Sequence, residues 1–258
     1  MPSSRHQALS AVIIAQDAGH RLADCLASLA FCDEIVLVDS GSTDGTVALA
    51  EAAGVRVISS HWRGYGPQKQ FAVTMATHDW VLCVDADEIV SEALRTSITA
   101  ALSALTPALY GAYQFPRCNK FMGRYLKHGE GYPDWSLRLF DRRHAMWSDD
   151  PVHEKVVTQA AVGTLVGDLL HDSAESLESY LAKQNRYTTL AARDALAAGK
   201  RTGVPQLLLS PLIRFIKFYL VRRGFLDGLP GLVHILIGCQ NSFAKYAKMI
   251  HAQRQQRR

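Results

Sequence analysis

Paired cysteines are missing from this chain. Its five cysteines, Cys25, Cys32, Cys83, Cys118 and Cys239, are odd in number, scattered and without metal-type spacing. That excludes a disulfide framework and fits buried free thiols of a reducing compartment. The segment Met1 to Ser10 has no apolar stretch, so no secretory signal is expected. No run reaches about 18 uninterrupted apolar residues, so a membrane-crossing helix is not expected either. There is no GxGxxG after the first apolar run and no GxxxxGK followed by Ser or Thr, which disfavours a dinucleotide fold and a P-loop. Internal repeats and low-complexity stretches are absent. Acid is scarce at one end: from Gln206 to Arg258 there are nine Lys/Arg and one acid, Asp227. That tail carries +8 where the whole chain carries +4, so the remainder is acidic.

What is present is enough for a sizeable core. Of 258 residues 48% are hydrophobic, compatible with one large domain or a domain with an appendage. Short apolar runs alternate with helical patterns. Ser10 to Ala15, Asp33 to Asp39, Val55 to Ile58 and Trp80 to Val84 read as strands. Between them, His20 to Ala30 and Gln68 to Ala76 read as helices, and so does a stretch capped by Thr43 or Asp44 that runs to Ala53 and is ended by Gly54. This order predicts an α/β sheet with parallel strands.

The strand ends are acidic. The central run ends in Asp85-Ala86-Asp87-Glu88, the second in Asp39, and Asp17 follows the first. Residues two apart on an extended chain share a face, so Asp85 and Asp87 are expected to point to one spot. Ligands of open α/β sheets bind at that edge. Adjacent carboxylates resist ionising together unless a cation lies between them, and Mg²⁺ or Mn²⁺ prefers such oxygens together with substrate phosphates. The bland alternatives are that the acidic trio caps a helix starting near Ser91, and that Asp17 and Asp44 are turn or cap residues.

The run Val36-Leu37-Val38-Asp39-Ser40-Gly41-Ser42-Thr43-Asp44-Gly45-Thr46, paired with Asp85-Ala86-Asp87-Glu88 some forty residues on, resembles the family 2 inverting glycosyltransferases. Within these it is most similar to the lipopolysaccharide core β-1,4-glucosyltransferase group that modifies inner-core heptose. The resemblance implies a GT-A, Rossmann-like sheet for nucleotide-diphospho-sugars with a helical C-terminal extension. It implies that Asp39 contacts the nucleobase, Ser42 belongs to the nucleotide- and donor-binding set, Asp85 meets ribose or sugar, Asp87 holds Mg²⁺ or Mn²⁺, and Lys69 lies near the nucleotide. Gln16-Asp17 stands where the family commonly has Asn-Glu, which leaves the donor role of Asp17 less defined.

The second half supplies the acceptor side. A helix from about Ser91 to Leu105 precedes Tyr110 to Pro116, then an aromatic, Gly-rich loop from Asn119 to Trp135. Ser136 to Asp141 reads as a strand. Pro133-Asp134-Trp135 and Arg138-Leu139-Phe140 resemble the acceptor motif of the same group, giving Trp135 as a sugar platform and Arg138 as a phosphate contact. Inversion needs one base; Asp134 is preferred, then Glu154, then Glu130. His153, in Pro151-Val152-His153-Glu154, is a candidate to complete the metal shell; His171-Asp172 is a weaker echo of that motif, with capping of the next helix as its bland alternative.

From Ser173 a helix is expected to Ala198, then a basic tail with Leu207 to Val221 and Leu232 to Ile250 as an interfacial helix pair for anionic lipid. The expected division is 1–172, catalytic (nucleotide part about 8–106, acceptor part about 107–172), and 173–258, helical and basic. The expected partners are a UDP-sugar, a lipid-linked oligosaccharide and an anionic membrane surface, with no nucleic acid, at the cytoplasmic side of a bacterial inner membrane. The alternatives are a nucleotidyltransferase and a non-catalytic, membrane-associated nucleotide binder.

Overall fold

The structure, a computed structural model, describes residues 7–103, 110–150, 154–173 and 176–255. The chain divides into two compact units, one of residues 1–118 with 134–172, the other of residues 119–133 with 173–258.

The first unit opens with β1 (Leu9–Ala15), α1 (Gly19–Ser28), β2 (Glu34–Asp39), α2 (Thr46–Ala52), β3 (Arg56–Ser59), α3 (Tyr65–Met75) and β4 (Trp80–Asp85). These four strands are parallel, in the order β3-β2-β1-β4. Alternation along them builds two cores. Leu9, Ala11, Ile13, Leu37, Leu82 and Val84 face one way, onto Leu22, Cys25 and Leu26 of α1. Val12, Val36, Val38, Val81 and Cys83 face the other way, onto Ala72 and Val73 of α3. Apolar residues at consecutive positions are therefore buried on both faces, as a helix-covered parallel sheet requires.

β5 (Glu88–Val90) follows β4 after a turn at Ala86-Asp87, and α4 (Glu92–Leu102) follows in turn. Ser91 caps α4, its hydroxyl accepting from Leu94 N–H at 3.3 Å. The acidic trio is therefore not that helix's cap. Then come β6 (Ala112–Phe121), β7 (Arg124–Tyr125), β8 (Asp134–Asp141), β9 (Ala145–Trp147), β10 (Val156–Thr158), β11 (Val162–Thr164) and β12 (Leu169–His171).

The four strands expected to be parallel are so, and beyond them the sheet turns antiparallel. β8 runs antiparallel to β4, pairing Val81 with Phe140, and β6 runs antiparallel to β8. The chain joins β6 to β8 through the excursion 119–133 and no crossover helix, so β8 returns antiparallel. The order continues β4-β8-β6-β12-β5, with β11 beside β6, while β9 and β10 form a separate ribbon.

The second unit holds the excursion, with β7 paired to the last residues of β6, and three helices. They are α5 (Leu177–Ala197), α6 (Val204–Phe215), continued by a π-helical turn (Ile216–Val221), and α7 (Gly228–Gln255), with a 3-10 turn at Gly224–Asp227 before α7. Ser176, not His171 or Asp172, caps α5, accepting from Ser179 N–H at 3.1 Å. α6 and α7 are antiparallel: Gln253 exchanges hydrogen bonds with the backbone of Thr202, and Ser210 Oγ meets Ser242 Oγ at 2.8 Å. Lys248 ties α7 to α5 through Asn185, Thr188 and Thr189.

The helix expected over Leu207 to Val221 runs from Val204 to Val221, a continuous helical stretch of 18 residues that by length and composition alone could cross a membrane, with none of it buried.

Candidate active site

β4 delivers Asp85 to the end of the central strand, where two cations meet it. Lys69 Nζ, from α3, lies 3.1 Å from Asp85 Oδ1, and Arg138 of β8 lies 3.3 Å from Oδ2. Lys69 also reaches Glu154 Oε1 at 3.2 Å. Trp147 of β9 backs both cations, Lys69 at 4.9 Å and Arg138 at 5.1 Å from its rings. Its indole N–H donates to Cys83 Sγ at 3.3 Å. Burial pushes the Cys83 thiol up to about 11, so this sulfur is a neutral packing group. A pocket opens on the cluster, lined by Val12, Ile14, Lys69, Asp85 and Arg138 among others.

Burial opposes the charge on Asp85, but Arg138 and Lys69 outweigh it and hold the carboxyl well below the usual range. Arg138 in return is held charged against its own burial by Asp85 and Glu88. Gly66 makes the cluster possible. A Cβ there would stand 2.3 Å from the Ser148 carbonyl, so only glycine lets the segment bearing Glu154 pack onto α3.

A turn follows Asp85, so the strand alternation that predicts Asp85 and Asp87 on one face does not extend to Asp87. Glu88, fully buried, folds back so that Oε2 accepts from Asp85 N–H at 2.9 Å. Extended geometry therefore ends at Asp85, and each aspartate has its own partners. Asp87 Oδ2 lies 3.3 Å from His171 Nε2 and 3.7 Å from Arg21. β12 brings His171 there by pairing with β5, His171 opposite Glu88.

Asp17, Asp39 and Ser42 stitch two loops. Asp39 accepts from Gly41 N–H at 2.9 Å, from Ser42 N–H at 3.0 Å and from the Ser42 hydroxyl. Asp17, at φ 51°, accepts from Thr43 N–H at 2.7 Å, while its own N–H donates to Ser42 Oγ at 2.9 Å. Asp44 closes an Asx turn onto Thr46 N–H at 2.9 Å and also accepts from Gly19 N–H.

On the acceptor side, Asp134 opens β8 with its side chain about half exposed, and Trp135 beside it is 50% exposed. Arg117 of β6 stands between the two sides, 2.7 Å from Glu88 Oε1 and 3.9 Å from Asp134 Oδ2. Arg117, Glu88, Trp147 and Arg21 are absent from the sequence-derived site. Only Glu88 had a signal, as the third acid of its run. Glu130 instead pairs with Arg214 inside the second unit. Pro151, Val152 and His153 lie outside the described residues.

For a divalent cation, the described residues hold no group of three or more His, Cys, Asp or Glu suited to binding one. They do offer the pair Asp87 and His171. Two ligands of one octahedral ion at about 2.1 Å sit about 3 Å apart, close to the separation of these two atoms. One carboxylate and one imidazole fit a cation that takes its other ligands from substrate phosphates and water.

A sequence profile described as Glycosyl transferase family 2 matches residues 10–162, which span both strand-end aspartates, Lys69, Asp134 and Glu154. The chain belongs to glycosyltransferase family 2. The family 2 chain is 34% identical over 248 residues to a lipopolysaccharide core biosynthesis glycosyltransferase, LpsC, of Rhizobium meliloti, covering 93% of this chain and 91% of that one. It is 30% identical over 251 residues to an uncharacterized glycosyltransferase of Rickettsia typhi, covering 93% and 86%. Among solved structures, TarS residues 1–349 of S. aureus with UDP-GlcNAc aligns over 90% of this chain and 79% of that one, at 14% identity and a TM-score of 0.47. Glucosyl-3-phosphoglycerate synthase of Mycobacterium tuberculosis with Mn²⁺, UDP and its product aligns over 44% of each chain, at 23% identity and a TM-score of 0.37. This family 2 enzyme has the GT-A arrangement its motifs imply, a curled mixed sheet with a parallel nucleotide half and a helical C-terminal region. Glycosyl transfer replaces the nucleotidyl-transfer and non-catalytic alternatives.

Proposed function

We propose that this enzyme is an inverting, metal-dependent transferase that moves a sugar, glucose in the first instance, from a UDP-sugar to the heptose of a lipid-linked lipopolysaccharide core. The observation that carries this reading is Asp85, kept ionised by Lys69 and Arg138 at the end of β4 while Asp134 stands exposed at the start of β8. The naming of the Rhizobium meliloti relative for lipopolysaccharide core biosynthesis supports the acceptor class. The basic helical tail supports work against an anionic membrane, at the cytoplasmic side.

An ionised carboxylate only accepts hydrogen bonds, so Asp85 suits ribose or sugar hydroxyls. Asp39 has roughly four lone-pair sites and three donors already, which leaves room for one N–H of a pyrimidine. Asp134 takes the proton from the acceptor hydroxyl as that oxygen bonds to the anomeric carbon and the bond to the nucleoside diphosphate breaks on the opposite face. Glu154 is the second candidate, because its carboxylate is already occupied by Lys69. Asp87 and His171 would hold a divalent cation, which when bound would supply positive charge for the leaving diphosphate. Trp135 offers an apolar face to the acceptor ring.

The test is transfer from radiolabelled UDP-glucose to lipopolysaccharide cores truncated at successive inner-core sugars. Label on a core ending in heptose, with inverted anomeric configuration, supports the reading. Transfer from other UDP-sugars only, or to acceptors without heptose, rejects the donor or acceptor named.

A further inference from the structure

The second unit presents an apolar surface that the proposed reaction does not use. Along α6 and its π-helical continuation, Val204, Leu208, Leu212, Ile216 and Leu220 recur every fourth residue and are 44% to 61% exposed. Leu209, Ile213 and Val221 widen the stripe and are also exposed. On α7, Leu229, Leu236 and Phe243 recur every seventh residue and are 47% to 65% exposed. Contiguous apolar surface of this kind marks a docking face.

The charges beside it are of one sign. Lys200, Arg201, Lys217, Arg222 and Arg223 are all exposed, and no acid lies between Lys200 and Gly224. Apolar groups bordered by cations complement an anionic lipid surface. The stretch Val204–Val221 is long enough to cross a bilayer, but its middle argues against that. Arg214 is held by Glu130, which belongs to the irregular excursion 119–133, and Lys217 follows one turn later. A crossing helix would carry an Arg–Glu pair, a lysine and non-helical backbone towards the bilayer centre, where each is strongly disfavoured. Lying in the plane, the helix immerses its leucines and lets Lys217 reach the headgroups.

We propose that α6 with its π-helical continuation, paired with α7, is an interfacial hairpin that lies in the plane of an anionic bilayer, with Leu208, Leu212, Ile216 and Leu220 immersed and Lys217, Arg222 and Arg223 among the headgroups. This deepens the lipid-linked acceptor reading and rests on it for its purpose. The turn of the hairpin is fixed by the excursion that leads into Asp134. His128 N–H donates to Asp227 Oδ2 at 2.7 Å, Gly129 N–H to the Arg222 carbonyl at 2.9 Å, and Arg124 to the Leu226 carbonyl at 3.0 Å.

The experiment is co-sedimentation of the full chain with preformed phosphatidylcholine vesicles, with and without phosphatidylglycerol. Binding is expected only with phosphatidylglycerol and is expected to weaken in high salt. Lys217→Gln with Arg223→Gln should weaken it about 30-fold, as removal of two headgroup cations does. Leu208→Ser with Leu212→Ser and Ile216→Ser should abolish it, with thermal melting confirming the fold of both variants. Leu208→Trp, Leu212→Trp and Leu220→Trp, made singly and each read against the unaltered chain with its four native tryptophans, should be quenched alike by shallow brominated lipids. Strongest quenching at position 212 by deep bromines would show a crossing helix and overturn the proposal. So would equal binding to both vesicle types, no binding, or a stable dimer that ignores lipid. Vesicle binding needs no donor, so failure here and failure of the sugar-transfer reading are separate results.

Discussion

Lys69 Nζ stands 3.1 Å from Asp85 Oδ1. The pair joins a helix on one face of the sheet to the end of its central strand. Lys69 is 6% exposed, and its ammonium has two carboxylate partners, Asp85 and, at 3.2 Å, Glu154.

Removing that cation should be costly. Lys69→Met leaves Asp85 to Arg138 alone and Glu154 without its partner. Loss of one member of a buried pair costs about 3–5 kcal/mol. Because Arg138 remains, a loss near the lower end, about 3 kcal/mol, is expected in urea unfolding, together with weaker nucleotide binding. A change under about 1 kcal/mol would mean that the pair is not formed in solution.

The two acids of this strand end should give opposite pH slopes. Asp85 has its pKa depressed in the folded chain, against its burial, by Arg138 and Lys69. Its contribution is fully present above the unfolded value of about 3.9 and is lost as pH falls towards the folded value. Glu88 is raised by burial and by Asp85. Its contribution is present below about 4.3 and is lost as pH rises through the raised value. Stability measured against pH should therefore climb from strong acid and then decline, and Glu88→Gln should remove the decline while keeping the climb. A variant whose decline is unchanged would assign that slope to other groups.

Exchanging the two candidate bases should separate their roles. Asp134→Asn should lower kcat by about two orders of magnitude or more with donor affinity kept. Glu154→Gln should keep more of the turnover and instead weaken the fold around Lys69. The reverse pattern in steady-state kinetics and melting would move the base to Glu154.

Ser42→Ala should loosen both loops at once, because that hydroxyl donates to Asp39 and accepts from Asp17 N–H. A stability loss of about 1–2 kcal/mol is expected, in the range of one or two lost hydrogen bonds, with weaker nucleotide binding. Unchanged affinity would make the loop lacing purely structural.

The strands and their acidic ends were legible because burial on both faces forces continuous apolar runs, and a polar residue where the run stops is conspicuous. Asp39, Asp85, Lys69 and Arg138 were found in that way or through the motifs. What depends on long-range register was not legible. His171 reaches Asp87 only because β12 pairs with β5, and no periodicity announces that pairing. Arg117 sits within an ordinary strand pattern, and its place between Glu88 and Asp134 follows from the antiparallel return of β8. The turn at Ala86-Asp87 defeated the two-residue alternation because Glu88 folds back onto the strand's own backbone. The helix over Leu207 to Val221 was legible from its apolar run, but its full length from Val204 was not, because Pro211, Arg214 and Lys217 interrupt a path that the folded chain keeps continuously helical.

The most direct test is calorimetric titration of UDP into the enzyme and into Asp87→Asn, each with and without Mn²⁺. The account predicts tight binding to the unaltered enzyme only when Mn²⁺ is present, and loss of that metal dependence in Asp87→Asn while the melting temperature is kept. UDP binding that ignores both Mn²⁺ and the substitution, or no UDP binding at all, would contradict it.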